Sequence, residues 1–165
     1  MRSRGFTLTE VMLATGIFSL LMLGSLGVYQ ACTRTWRATE TSMEAARRAD
    51  LAIQHMVIGV HGFNGLRGAV STNVQATSVT GTWSITYSDG IGGRYRFAYD
   101  KSRQEIVFSD LLNSNLPAQR IGTRIVASSI VPAATTGVSV SVSAAASCWQ
   151  NCATSTVTTY VYYRN

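Results

Sequence analysis

Glu10 stands alone at the start of a long apolar run. It is the only Asp, Glu, Lys, Arg or His between Arg4 and Arg34, and residues 11–33 contain none. A carboxylate inside an apolar segment costs free energy unless a cation or hydrogen-bond donors meet it, so it suggests a function. Glu10 lies four residues after Phe6, on the same face of a helix. In the first helical turn it would also face the positive end of the helix dipole. Arg2, Arg4 and Gly5 complete the set, giving a short basic stretch, a glycine, an aromatic and then the lone acid.

The other residues able to do chemistry lie far along the chain. Cys148 and Cys152 enclose three residues. If oxidised, they would close a small loop worth about 2 kcal/mol by chain entropy, less any strain. Free thiols are an alternative, and redox pairs normally enclose two residues rather than three. Trp149 would stand at the tip of that loop, as an exposed contact or as a cap on a sheet edge. Arg94, Arg96, Lys101 and Arg103 gather around one hairpin, with Arg94 and Arg96 on the face opposite its aromatic side chains. Such a patch suits a solvated sheet face, and it also suits phosphate contact and base stacking.

His55 and His61 are poorly spaced for zinc. Asp89, Asp100 and Asp110 lack the spacing of a calcium loop. No nucleophile–base–acid order and no phosphate loop stands out, so the chain reads as a non-enzyme without a cofactor. Cys32 reads as a small residue of the apolar helix.

These residues need elements to hold them. Residues 11–33 would span about 35 Å as a helix, enough for a bilayer core of about 30 Å. An ordinary secretory signal has a shorter apolar region and no acid near its start. A plain signal anchor would explain the length but not Glu10. Arg2 and Arg4 before the run and Arg34 and Arg37 after it nearly balance, so the positive-inside rule orients it only weakly.

Beyond Arg34 the chain becomes amphipathic. Met43, Ala46, Ala49, Ile53, Met56 and Val60 recur at helical spacing, and no proline interrupts residues 6–58. One long helix is expected, its second half packing on a core. Gly59, Gly62, Gly65 and Gly68 then predict a flexible connector.

The rest reads as strands. Trp83, Ile85 and Tyr87 share one face, as do Tyr95, Phe97 and Tyr99, and then Ile106 and Phe108. Turns at residues 89–93 and 100–103 make these an antiparallel meander. Residues 124–131, the alternating Val138, Val140 and Val142, and residues 156–163 predict three more strands. Residues 113–117 read as a loop. The fold class is α+β, a long N-terminal helix packed on an antiparallel β-sheet head.

The stretch Arg4-Gly5-Phe6-Thr7-Leu8-Thr9-Glu10-Val11 strongly resembles the type IV pilin-like family, whose members carry a class III signal peptide. Arg2, Arg4, Gly5, Phe6 and Glu10 all match, and the likeness covers about the first thirty residues. The resemblance implies that a prepilin peptidase cuts between Gly5 and Phe6 and N-methylates Phe6. It further implies that the apolar helix stays on the mature chain, anchoring it in the inner membrane with its head in the periplasm and later packing in a filament core. Glu10 would then meet the terminal amine of a neighbouring subunit and set the register. The domains expected are a leader at 1–5, a membrane and filament-core half-helix at 6–33, an amphipathic half at 34–58 and a β-rich head at 59–165.

A C-terminal disulfide loop is common among pilins, though theirs are usually longer than Cys148–Cys152 would make. Residues 16–21 and the Arg/Ala-rich helix loosely resemble minor pseudopilins and minor pilins. The partners implied are the peptidase, other pilin or pseudopilin subunits and an inner-membrane assembly platform. A type IV pilus-like filament and a type II secretion pseudopilus both fit. The alternative is a tip subunit that binds a surface ligand or DNA.

Composition agrees with this layout. Only 13% of the 165 residues are charged, too few for a solvating disordered chain. Of the formal net charge of +6, Arg2 and Arg4 supply two, so removing residues 1–5 would leave +4 before counting the new amine.

Overall fold

The computed structural model describes residues 7–70, 74–79, 81–113, 115–133, 136–147 and 152–164. The chain forms two compact units, the first ending at Glu40 and the second beginning at Thr41. A single helix, α1 (Leu8–Ile58), supplies the described part of the first unit and opens the second.

In the first unit, α1 has no tertiary core. It is stabilised from within. Each of the four Ser and Thr side chains between residues 11 and 33 donates to a carbonyl one turn back: Thr15 to Met12, Ser19 to Thr15, Ser25 to Met22 and Thr33 to Gln30, at 2.7–3.0 Å. None of these four hydroxyls needs water, which suits a segment apolar enough to cross a membrane.

In the second unit, α1 buries Ala45, Ala49, Ala52, Ile53 and Met56. This corrects the expected face at its N-terminal end. Met43 is 67% exposed, and Ala45 takes the inward place instead of Ala46. Small side chains decide the geometry. A Cβ added at Gly122 would lie 3.1 Å from the Ala52 Cβ, so helix and sheet meet where neither carries bulk.

The glycine-rich segment after α1 is ordered structure rather than a flexible connector. Strands β1 (Gly59–Val60) and β2 (Phe63–Asn64) pair as a short hairpin, and a 3-10 turn follows at Leu66–Gly68. Gly59 has φ +116°, and any Cβ there would strike the Phe63 carbonyl. The glycines thus permit a sharp turn against the core.

The head holds two further antiparallel sheets. The five-stranded sheet runs in sequence order through β3 (Gln75–Val79), β4 (Thr82–Ser88), β5 (Arg94–Asp100), β6 (Glu105–Asp110) and β7 (Gln119–Thr123). The expected meander is its centre, with Ile85 opposite Phe97 and Phe97 opposite Phe108. The three-stranded sheet has β9 (Gly137–Ala145) between β8 (Ile125–Ala133) and β10 (Thr154–Tyr162). Val138, Val140, Val142 and Ala144 point inward from β9, as their alternation with serine requires.

The sheets share one core with the helix. Phe63, Tyr87, Tyr95, Phe97 and Phe108 form its aromatic centre, with ring centroids 5.2–5.7 Å apart. The Tyr99 hydroxyl joins the sheets, donating towards the Ile125 and Val126 carbonyls at 3.1 Å. The architecture is α+β, a long N-terminal helix packed on antiparallel sheets.

Candidate assembly site at the N-terminus

Glu10 and Thr7 begin the helix together. Thr7 donates its backbone N–H to Glu10 Oε2 at 2.9 Å and its hydroxyl to the same oxygen at 3.0 Å. The Glu10 N–H lies 3.4 Å from the Thr7 hydroxyl, completing a reciprocal capping box. Both Thr7 bonds end on Oε2, and among the described residues Oε1 accepts none. The carboxylate therefore caps its own helix and keeps one oxygen for another donor.

The surface beyond it is apolar and open. Leu8, Val11, Met12, Leu13, Ile17, Phe18, Leu20, Leu21, Leu23 and Leu26 are all exposed. Together they make α1 long and apolar enough to cross a membrane. Gly5 and Phe6 lie outside the described residues, so the bond between them is located by sequence alone.

The basic residues of the head do not form one cluster. Arg94 and Arg96 are exposed at one end of β5, while Lys101 and Arg103 occupy the turn beyond its other end. Lys101 lies seven positions after Arg94, about 23 Å along the strand. Arg103 also lies 3.8 Å from both Asp100 and Glu105, which partly balance its charge. Cys148 and Trp149 lie outside the described residues.

Two polar clusters support the head, and neither was expected from sequence. Glu44 on α1 accepts the Ser147 backbone N–H at 3.2 Å and a 2.6 Å contact from Arg48, whose guanidinium also donates to the Ser147 hydroxyl at 2.8 Å. The Ser147 N–H, with help from Arg48, holds the Glu44 carboxyl below its ordinary value. This clip ties the helix to the chain just before Cys148. Nothing in the sequence signals a contact across a hundred residues.

The second cluster surrounds Asp89, which is only 6% exposed. It accepts from Asn64 at 3.0 Å, from the Gly93 and Ile91 N–H groups at 2.6 and 3.2 Å, and from the Tyr95 hydroxyl at 3.4 Å. Burial alone would raise its carboxyl, but these donors outweigh that and hold it below the ordinary value. Every oxygen is engaged, so the site fixes the β4–β5 turn and offers no open ligand position.

A family model described as the prokaryotic N-terminal methylation motif matches residues 1–26. No curated protein and no solved structure matches the chain. The matched stretch contains Gly5, Phe6, the Thr7–Glu10 box and more than half of the apolar run, and it ends before the head begins.

Proposed function

We propose that this chain, a type IV pilin-like prepilin with a class III signal peptide, serves as a structural subunit of a type IV pilus-like filament or a type II secretion pseudopilus, in a minor role. Prepilin peptidase hydrolyses the Gly5–Phe6 bond and methylates the new amine of Phe6. The apolar half of α1 holds the subunit in the inner membrane with the head in the periplasm, then passes into the filament core among other subunits. The assembly platform moves it between these two apolar surroundings. An oxidised Cys148–Cys152 pair closes a small loop directly after Ser147 in the sequence.

The observation that carries this reading is the methylation motif set on an exposed apolar helix whose lone acid has an oxygen to spare. A neighbouring Phe6 amine can bind Oε1 while Thr7 keeps Oε2, so assembly need not undo the helix start. The minor role rests on the loose likeness of residues 16–21 and the Arg/Ala-rich helix to minor pseudopilins and minor pilins.

Glu10→Gln separates capping from pairing. Glutamine serves a capping box as glutamate does, but it carries no charge for an amine. The variant should reach the membrane at the wild-type level and vanish from sheared filament fractions. Wild-type incorporation of Glu10→Gln would contradict the pairing. A dominant band of the unaltered chain in those fractions would contradict the minor role.

A further inference from the structure

One short segment joins the ends of the two large sheets. Ala69 pairs with Asp89 just after β4, and Val70 pairs with Arg164 just after β10. The Val70 N–H donates to the Ser88 carbonyl at 3.0 Å, and the Arg164 N–H donates to the Ala69 carbonyl at 2.9 Å. Beside this junction lies a cavity of about 470 Å³, lined by Asn64, Gly68, Val70, Gly90, Ile91 and Arg164. That volume falls within the usual range of small-ligand sites, about 300–1,000 Å³.

Three of its lining side chains have binding capacity to spare. Arg164 is the one charged residue among those lining the cavity, and its guanidinium has no hydrogen bond or ion pair with a described residue. Asn64 donates from Nδ2 to Asp89 at 3.0 Å, which fixes its amide, yet its Oδ1 accepts nothing from a described residue. Ile91 stands in a tight turn, a place usually held by Gly, Pro, Asn, Asp or Ser, and it is 86% exposed. The turn is held firmly, because the Ile91 and Gly93 N–H groups both donate to Asp89 Oδ1, at 3.2 and 2.6 Å. Val70 supplies a second aliphatic wall. A cation, an acceptor and an apolar wall thus border one space.

We propose that this cavity binds the C-terminal carboxylate of a partner polypeptide that ends in a small aliphatic residue. Each group of such an end has a counterpart. The planar fork of Arg164 takes the two carboxylate oxygens. The amide N–H of the last residue donates to Asn64 Oδ1. The aliphatic side chain covers Val70 and Ile91 and removes them from water. Other anions fit less well. A phosphate monoester carries nearly two charges, and only one cation lines the cavity. A free amino acid needs an acid for its ammonium, but Asp89 is buried with both oxygens engaged. A sugar acid would set hydroxyls against Val70 and Ile91. The site uses residues of the head alone, so it stands or falls separately from the filament reading.

The test titrates a labelled peptide with the full chain in detergent micelles and reads fluorescence anisotropy. The probe is Gly-Gly-Gly-Gly-Val with a fluorophore on its amino end, made once as the free acid and once as the C-terminal amide. The acid should bind, and the amide should bind about 10- to 100-fold more weakly, as expected for losing one charge-assisted pair. Arg164→Gln should weaken the acid by the same factor and leave the amide unchanged. Arg47→Gln makes the same change of charge on α1 and should alter neither. Ile91→Asp lies at an exposed turn, where folding is not at stake, and should weaken the acid by placing a like charge beside its carboxylate. Ending the probe in glycine should also weaken it, because Val70 and Ile91 lose their cover. No binding of the acid, equal affinity for acid and amide, or unchanged binding by Arg164→Gln or Ile91→Asp would each overturn the proposal. Displacement of the acid probe by an equal concentration of glucuronate or inorganic phosphate would overturn it too, giving the cavity to a different anion.

Discussion

Leu20 and Phe97 are both large and apolar, yet the first is 72% exposed on α1 and the second is fully buried in the head. The two units put such residues to opposite uses. In the head, β-strand alternation and the Ala45–Met56 face of the helix bring apolar side chains together and exclude water. In the first unit, the helix satisfies the hydroxyls of Thr15, Ser19, Ser25 and Thr33 from its own backbone and leaves its apolar side chains exposed. On the proposed reading, a bilayer first and neighbouring helices later would finish that surface. The head holds the buried core, and the helix holds the exposed apolar surface.

The contrast breaks most sharply under truncation. Phe97→Ala should lower the head's stability by about 3–5 kcal/mol, because it leaves a cavity in the aromatic cluster. Leu20→Ala should change the same denaturant midpoint by less than about 0.5 kcal/mol. A comparable loss from both would mean that the first unit has a core of its own.

The reverse experiment adds charge to the helix. Leu21→Arg should raise the cost of membrane insertion by about 2.5–3.5 kcal/mol, moving much of the chain from the membrane to the soluble fraction. The melting of the head should be unchanged. Fractionation and a thermal melt on one preparation check both halves of that statement.

A pH series sharpens the picture of the head. The folded Asp89 carboxyl titrates below its unfolded value of 3.8. The unfolded state therefore binds more protons between the two values, and stability drains away as pH falls through them. Above the unfolded value its contribution is complete. Asp89→Asn should cost about 1–3 kcal/mol at neutral pH by weakening its acceptor bonds. It should also flatten the decline below about pH 4, which denaturant melts at pH 3 and pH 7 would reveal.

The smallest effect concerns the clip. Glu44→Gln should leave the core intact and lower the melting temperature slightly. It should also speed hydrogen exchange at the Ser147 amide, which loses a charged acceptor. Unchanged exchange there would mean that the clip does not hold the loop.

How much of this was legible in the sequence differs by region. The meander strands were readable because Trp83-Ser84-Ile85-Thr86-Tyr87 and its partners alternate cleanly between two faces. Strands β3 and β7 were not. Gln75–Val79 is almost wholly exposed, and Gln119–Thr123 carries glycine where the helix approaches, so neither has an alternating apolar pattern. The division into two sheets escaped because it depends on β7 leading into β8 across the core.

Met43 misled because helical spacing alone fixes a stripe, not where the stripe first meets the sheet. The glycines at residues 59–68 suggested slack, but they permit close approach instead. At the N-terminus the lone acid was plain. Its partner Thr7 was missed, although Thr-x-x-Glu before an apolar run is a helix-start signature.

Maturation at Gly5–Phe6 is the step on which membrane anchoring and assembly both depend in the proposed function. The direct measurement is intact mass and N-terminal sequencing of the chain purified from membranes of cells that contain a prepilin peptidase. The account predicts a chain beginning at Phe6, without Met1–Gly5 and heavier by one methyl group, about 14 Da. A chain that still begins at Met1, or one cut beyond residue 33 so that the apolar helix is lost, would contradict it.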